Sequence, residues 1–335
     1  MKRLVVQIPA YNEAESLPST LVEIPRTIPG IDSVIVLVID DGSSDCTTDI
    51  ALKNGADYVI RHLQNRGLAK AFLTGIRTSL ALGADVIVNT DADNQYPGKY
   101  IPDLVAPILE GKSHIVIGDR QVINNEHFSP FKQRLEAFGS WVMRLISQTD
   151  APDAPSGFRS YSRYAALRLQ VFNPYSYTLE TLIQAGKDQM AITHLPIRTN
   201  ASLRPSRLHK GILNFVWRQS GTIIRSYILY SPLKTFIQLS IPFLLSGSVL
   251  IFRFLYFYFT DQSGIGRHIQ SVSIGGTLGV FGFLLLLLGI LGDAVRMNRQ
   301  IMEEILVSQR DGQKINENSQ DYLGCKLFIN KYNKE

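Results

Sequence analysis

The sequence predicts an α/β fold in which a mainly parallel sheet carries helices on both faces, followed by helices that cross a membrane. Three observations predict it. Short apolar runs closed by acidic or turn residues alternate with longer helical stretches over residues 4–118, the pattern of strand–helix–strand units around a parallel sheet. Acidic clusters recur where these runs end, and ligands on such sheets bind beyond the carboxyl ends of the strands. After about residue 210 the composition turns to apolar segments long enough for a bilayer, which takes roughly 20 residues to cross.

Each element follows from its residues. The run LVVQI at 4–8, closed by Pro9, reads as a buried strand, and SVIVLVI at 33–39 as a second, ending at Asp40, Asp41 and Gly42. Residues 57–60, DVIVNT at 85–90 and HIVIG at 114–118 continue the series. Helices are expected over 14–28, made irregular by Pro18 and Pro25, over 45–54 capped by Ser44 or Asp45, over 68–82 and over 100–110. Lys2 and Arg3 precede only a short apolar run, so the N-terminus reads as a first strand and not as a signal peptide.

This reading divides the chain into an α/β domain at 1–210, an amphipathic interfacial helix at 211–234, two membrane helices within 235–295 (236–259 and 272–293) and a cytosolic tail at 296–335. The last part of that tail, 310–335, is polar and reads as mobile. The composition is 45% hydrophobic and 19% charged, which excludes a disordered chain. The net charge of +5 is unevenly placed: no Asp or Glu occurs between Asp188 and Asp261, while eight Arg and Lys do. A single-sign stretch running into apolar sequence suits an anionic membrane surface or a phosphate headgroup. Arg225 and Lys234 precede the first span, and Arg296 and Arg299 follow the second, which places both flanks in the cytosol. No nucleic-acid-binding motif accompanies the basic charge, so nucleic acid is not an expected partner. Cys46 and Cys325 lie far apart and give neither a disulfide framework nor a zinc site.

The chemistry concentrates in Asp91-Ala92-Asp93-Asn94-Gln95, directly after an apolar strand. In extended backbone, residues two apart share a side, so Asp91, Asp93 and Gln95 are expected to present three oxygens to one hard cation, Mg²⁺ or Mn²⁺. Such an ion neutralises a diphosphate leaving group. An Asp/Asn-rich turn is the plainer alternative, and context decides against it. Pro9-Ala10-Tyr11-Asn12-Glu13, Asp40-Asp41-Gly42-Ser43 and Asn65-Arg66-Gly67 all occupy places where a nucleotide site forms. Carboxylates there suit ribose hydroxyls and base N–H donors, and Tyr11 suits the base.

The motifs IPAYNE (8–13), DDGS (40–43), NRGLAKA (65–71), DADNQYP (91–97), GDR (118–120) and SGFRSYSR (156–163) resemble, in this order, those of family 2 glycosyltransferases, and within them the dolichyl- or polyprenyl-phosphate mannose synthases. The resemblance covers about the first 210 residues. It implies a GT-A fold, a nucleotide-sugar donor (GDP-mannose favoured, UDP-glucose possible), a divalent metal, and inversion at the anomeric carbon. It also implies that Pro9, Tyr11, Glu13 and Asp41, with Asp40, Asp91 and Ala92, hold the nucleotide sugar, and that Asp91, Asp93 and Gln95 hold the metal. Related polyprenyl-phosphate glucosyltransferases carry Asp directly before the Phe-Arg of the last motif, where this chain has Gly157. That leans toward the mannose-synthase type. No Gln-x-x-Arg-Trp motif occurs, which favours transfer of a single sugar.

A phosphate acceptor is already anionic near neutral pH and needs positioning and charge compensation more than proton removal. Arg suits that task. Arg204 and Arg207, with Arg134, are assigned to the acceptor phosphate, Arg120 and Arg134 lie near the reacting phosphates, and Arg159 is a further candidate. Asp93, Arg120 and Glu180 are the candidate catalytic residues. Glu180 either orients the sugar, acts as base toward a hydroxyl acceptor, or is a helix acid paired with an Arg; Asp153 either shares such a role or braces its loop. The expected function is therefore transfer of mannose or glucose to polyprenyl phosphate by an integral membrane protein whose catalytic domain faces the cytoplasm. The alternatives are transfer to diacylglycerol or another lipid hydroxyl, and an inactive membrane scaffold.

Overall fold

The computed structural model describes residues 1–121, 144, 147, 149–150, 152–171, 177–200, 221, 228, 231–260, 269–312, 321–322 and 325–330. Arg134, Arg204, Arg207 and most of the expected interfacial helix lie outside these residues. The chain forms two compact units, 1–223 with 305–335, and 224–304.

Strand β1 (Arg3–Ala10) is buried at every position after Arg3, as a central strand covered on both faces must be. Strands β2 (Ser33–Asp40), β3 (Tyr58–Arg61) and β4 (Val86–Asn89) join it in parallel, in the order β4-β1-β2-β3. Beyond β4 the sheet is mixed. Strand β6 (Arg159–Ser162) lies antiparallel between β4 and β5 (Ile115–Asp119), and β7 (Ile192–Pro196) runs parallel to β5 at the edge. The SGFRSYSR motif thus enters the sheet as a strand, which the alternating pattern of the first 118 residues does not announce.

Helices α1 (Leu17–Val22), α2 (Thr47–Lys53) and α4 (Ile101–Leu109) close over one face, where Leu4, Val6 and Ile8 meet Leu17, Leu21, Ala51 and Leu104. The opposite face receives α3 (Leu68–Ala81), whose Gly75 sits against the Gln7 side chain. There Phe72 stacks on Tyr177 of α6 (Tyr177–Lys187) at 4.0 Å between ring centroids. A short helix, α5 (Arg163–Arg168), follows β6, its first turn capped by the Ser162 hydroxyl. The helix expected over 14–28 is confined to α1. Pro18 is tolerated in its first turn, whereas Pro25 cannot donate to a continuing helix.

The C-terminus departs from expectation. Residues 325–330 are not a mobile tail: β9 (Cys325–Ile329) pairs antiparallel with β3, and β8 (Asp321–Tyr322) pairs with β9. Alternating burial explains the docking, since Cys325 and Leu327 face inward while Lys326 stays out. Asn330 closes the strand by donating to the carbonyls of Leu52 and Ala56.

Helices α7 (Pro232–Thr260) and α8 (Ile269–Asp311) are long and apolar enough to cross a membrane. Helix α8 does not end near 293 as expected. Its 43 residues span about 65 Å at 1.5 Å per residue, roughly twice a bilayer core, and its polar end carries Arg296, Arg299 and Arg310. Small residues let the two helices approach: a Cβ on Gly247 would come within 2.8 Å of the Gly275 carbonyl oxygen, the close backbone contact expected where hydrophobicity cannot drive helix association.

Candidate active site

Strand β1 lies between β2 and β4, so the loops after all three gather at one end of the sheet. The first two are fastened together. The Asp41 amide donates to the Ala10 carbonyl, the Asn12 amide to the Ser43 hydroxyl, and the Ser44 amide to the Asn12 side chain. Asn12 takes a positive φ of 54°, within reach of an Asn. The turn presents Tyr11, 42% exposed, to solvent, while Pro9 behind it is buried in β1. Glu13 accepts from the Ser16 hydroxyl at 2.6 Å.

Asp40 and Asp41 are buried, and their oxygens serve the protein first. Asp40 accepts from the Ser43 amide and the Thr48 hydroxyl, with Arg61 at 3.6 Å. It is fully buried, so the direct nucleotide contact expected of it gives way to shaping the loop. Asp41 accepts from the amides of Arg66 (2.9 Å) and Gly67 (2.8 Å) and meets His62 Nδ1 at 2.6 Å. A carboxylate offers about four acceptor positions, so this set leaves little for a base or ribose. His62 in turn reaches the Thr74 hydroxyl. Gly42 is required here: its φ is 72°, and a Cβ would meet the Gln64 and Asn65 backbone at 2.5–2.7 Å.

After β4 the backbone does not remain extended. Asp93 accepts from the Gln95 amide at 3.0 Å, and Asn94 turns the chain with φ 56°, a side-chain-stabilised turn. The alternation that would align Gln95 with Asp91 and Asp93 therefore does not apply. Ala92 is buried, its carbonyl accepting from Thr20. Asp91 and Asp93 remain as a close carboxyl pair. Burial, then the neighbouring Asp93 charge, pushes Asp91 up to about 7, with Arg120 opposing; burial also raises Asp93.

Arg120 follows β5. Asp153 grips it through Nε (2.7 Å), Nη2 (2.8 Å) and the main-chain amide (3.0 Å), a two-point fork that fixes the guanidinium. Asp153 thus braces the site. Burial raises the Asp119 carboxyl beside it as well. Asp91, Asp119 and Asp153 all lie within electrostatic reach of the Arg120 guanidinium, an excess of acid that disfavours an approaching diphosphate.

Gly157 is held against this cluster. Its amide donates to the Tyr96 hydroxyl, and its carbonyl accepts from Asn89 at 2.9 Å and from Tyr177. A Cβ there would stand 2.9 Å from the Tyr177 hydroxyl and 3.3–3.4 Å from the Asp91 oxygens. Gly157→Ala is expected to lower the transfer rate about ten-fold, the scale of a small misplacement of reacting groups, with the folded state retained. Initial rates and thermal melting of the variant check this.

Arg159 does not face the phosphates. It is 1% exposed and donates to the carbonyls of Ser156, Thr178 and Ala154 and to the Thr181 hydroxyl. Glu180 sits on α6, 3% exposed. Sequence reasoning missed Tyr96, Asn89 and Tyr177. Only Tyr96 carried a signal, inside DADNQYP; the other two gain their place from the hydrogen bond that Asn89 on β4 donates to the Tyr177 hydroxyl on α6.

Among the described residues no group of three or more His, Cys, Asp or Glu is arranged for a metal ion. Asp91 and Asp93 nevertheless fit Mg²⁺ or Mn²⁺: they are hard oxygen donors whose mutual repulsion a cation relieves, and such ions share protein carboxylates with substrate phosphates.

Over 222 residues the chain is 28% identical to an undecaprenyl-phosphate mannosyltransferase of Micrococcus luteus, covering 63% of this chain and 89% of that one. It is 29% identical over 223 residues to a UDP-N-acetylglucosamine–dolichyl-phosphate N-acetylglucosaminyltransferase of Methanococcus voltae, covering 59% and 86%. The fold is similar to crystalline glucosyl-3-phosphoglycerate synthase of Mycobacterium tuberculosis, solved with Mn²⁺ and UDP, with a TM-score of 0.53 and 21% identity over 68% of this chain and 80% of that one. The model for glycosyl transferase family 2 matches residues 5–172, half of the sequence, and the chain belongs to that family.

Proposed function

We propose that this glycosyltransferase moves one hexose, mannose in preference to glucose, from a nucleotide sugar to a polyprenyl phosphate at the cytoplasmic face of a membrane, with inversion at the anomeric carbon. The observation that carries the reading is the Asp91–Asp93 carboxyl pair beside the Asp153-held Arg120, at the end of the sheet where the nucleotide loops converge. A phosphate oxygen of the acceptor attacks the anomeric carbon, that carbon's bond to the diphosphate oxygen breaks, and the nucleoside diphosphate leaves. Because the acceptor oxygen carries no proton to remove, the site needs no general base. Bound Mg²⁺ or Mn²⁺, held by Asp91 and Asp93, supplies charge neutralisation at the leaving diphosphate. Arg120, pinned by Asp153, is positioned to counter the phosphate charges; Tyr11 borders the base, and the Asp41-braced loop forms the pocket wall.

A lipid acceptor is supported by α7 and α8. Strand β9 follows α8 yet pairs with β3, and two strands of one sheet lie on one side of a bilayer. The chain therefore returns to the side it left, and the basic residues flanking both spans favour the cytoplasm. GDP-mannose is favoured by the motif resemblance, and the M. voltae relative, named for a UDP-sugar, keeps UDP donors within the test. That test measures labelled sugar transfer in membranes holding the protein, with polyprenyl phosphate or diacylglycerol, Mn²⁺ or a chelator, and a panel of GDP- and UDP-sugars. Metal-dependent formation of an acid-labile polyprenyl-phosphate sugar is the expected result. Label in diacylglycerol alone would transfer the reading to a hydroxyl acceptor with Glu180 as candidate base. Alanine at Arg134, Arg204 or Arg207 is expected to raise the acceptor KM in the same assay.

A further inference from the structure

We propose that the strand following the second membrane helix is a working part of the donor site: by pairing with β3, β9 fixes Arg61 and His62, and through them the two loops that flank the nucleotide. The inference rests on the nucleotide-sugar reading above.

Strand β3 has four residues, and without β9 it would be the edge of the sheet. Short edge strands fray, because half of their backbone groups lack a partner. Yet the end of β3 carries the braces of the donor pocket. Arg61 donates to the Ser43 carbonyl at 2.9 Å and lies 3.6 Å from Asp40. The His62 amide donates to the Asp40 carbonyl, and its ring meets Asp41. Asp41 in turn holds the amides of Arg66 and Gly67. Any movement of the end of β3 moves both loops.

Strand β9 is built to prevent that movement. It pairs with β3 along its whole length, Tyr58 opposite Ile329 through Arg61 opposite Lys326. Because the pairing is antiparallel, Cys325 at the start of β9 lies at the carboxyl end of β3, the ligand end of the sheet. There it is buried, within electrostatic reach of Arg66 and Asp41. Leu327 is buried against the sheet, and Asn330 ties the far end to residues 52 and 56. A second attachment lies upstream: Arg163 pairs with Asp311 at 2.7 Å, and Arg310 donates to the carbonyls of Leu167 and Leu169. The last turn of α8 is thus anchored before the chain reaches β9. The device makes donor affinity depend on residues that the chain supplies only after its membrane helices.

The test compares, in detergent with Mn²⁺, the full chain, a chain ending at residue 312, Leu327→Asp, and the conservative Leu327→Met. It measures GDP and UDP affinity by calorimetry, KM for donor and acceptor, thermal melting, and hydrogen exchange at β3 amides. The expected result is faster exchange in β3, at least ten-fold weaker nucleotide binding and a matching rise in donor KM for both disruptive variants. Acceptor KM stays unchanged, a cooperative melt persists, and Leu327→Met behaves as wild type. Undiminished nucleotide affinity despite exposed β3 amides would overturn the inference alone. Loss of the cooperative melt in both disruptive variants would also overturn it, reducing β9 to a general folding element. A full chain that binds neither nucleotide would count against the donor reading itself.

Discussion

Asp91→Asn is expected to lower sugar transfer by roughly 10³-fold, the scale on which removal of one charge-stabilising group acts in a preorganised site, and to abolish Mn²⁺-dependent nucleotide binding. The same substitution is expected to stabilise the metal-free protein in alkaline solution. The sign follows from the raised carboxyl. Asp91 titrates near 7 in the folded chain against 3.8 in a free carboxyl, so between those values the folded state binds more protons than the unfolded state. The stability that this proton binding contributes is full below about pH 4 and is lost as pH rises to about 7. Asparagine carries no charge to desolvate and escapes that loss. The gain above pH 7 is on the order of 2 kcal/mol, taking a pKa unit as about 1.4 kcal/mol and discounting for solvent screening at a partly open site. Thermal melting with chelator at pH 4 and pH 8.5, beside initial rates with Mn²⁺, checks both halves. Equal melting shifts at the two pH values would contradict the buried-charge account. Such opposition between stability and activity is the mark of a group retained for function.

Arg159→Met is expected to give the largest stability loss, about 3 kcal/mol and about a 10 °C fall in melting temperature. Arg159 is among the largest fully buried side chains. Its guanidinium satisfies carbonyls on both sides of the site, Ala154 and Ser156 in the loop and Thr178 in α6. Methionine fills much of the volume and leaves those carbonyls without a donor in the interior. Activity should fall with stability, because the 153–158 loop carries both Asp153, which holds Arg120, and Gly157, which lies against Asp91. Lysine should rescue little, since one ammonium cannot reproduce the planar fork. Denaturation and rate measurements on both variants test this, and wild-type melting of Arg159→Met would remove the clamp role.

Much of this site was legible before folding was considered. The runs at 4–8, 33–39 and 85–90 are strands because they are apolar throughout and end in residues that leave the sheet. The same rule placed Tyr11, Asp41 and Asp91 at one end of the sheet. The rule reaches no further than contacts close in sequence. Arg159 looked like a phosphate ligand because sequence shows its charge but not the carbonyls of residues 154, 156 and 178 that surround it. Gln95 aligns with Asp91 only in extended backbone, whereas the Asp93 side chain captures the Gln95 amide and turns the chain.

The C-terminal strand shows the division most sharply. Residues 325–330 are few and follow a polar stretch, so composition predicts mobility; only the open edge of β3, brought near by the return of the chain, gives Cys325 and Leu327 a surface to cover. By itself the sequence determined the α/β architecture, the two apolar spans and the strand-end acids, because periodicity and apolar length act locally. Tertiary structure alone decided which carboxylates are consumed as braces, as Asp40 and Asp153 are, and which stay as a repelling pair, as Asp91 and Asp93 do. The physical reason is that desolvation and hydrogen-bond satisfaction depend on partners far away in the chain.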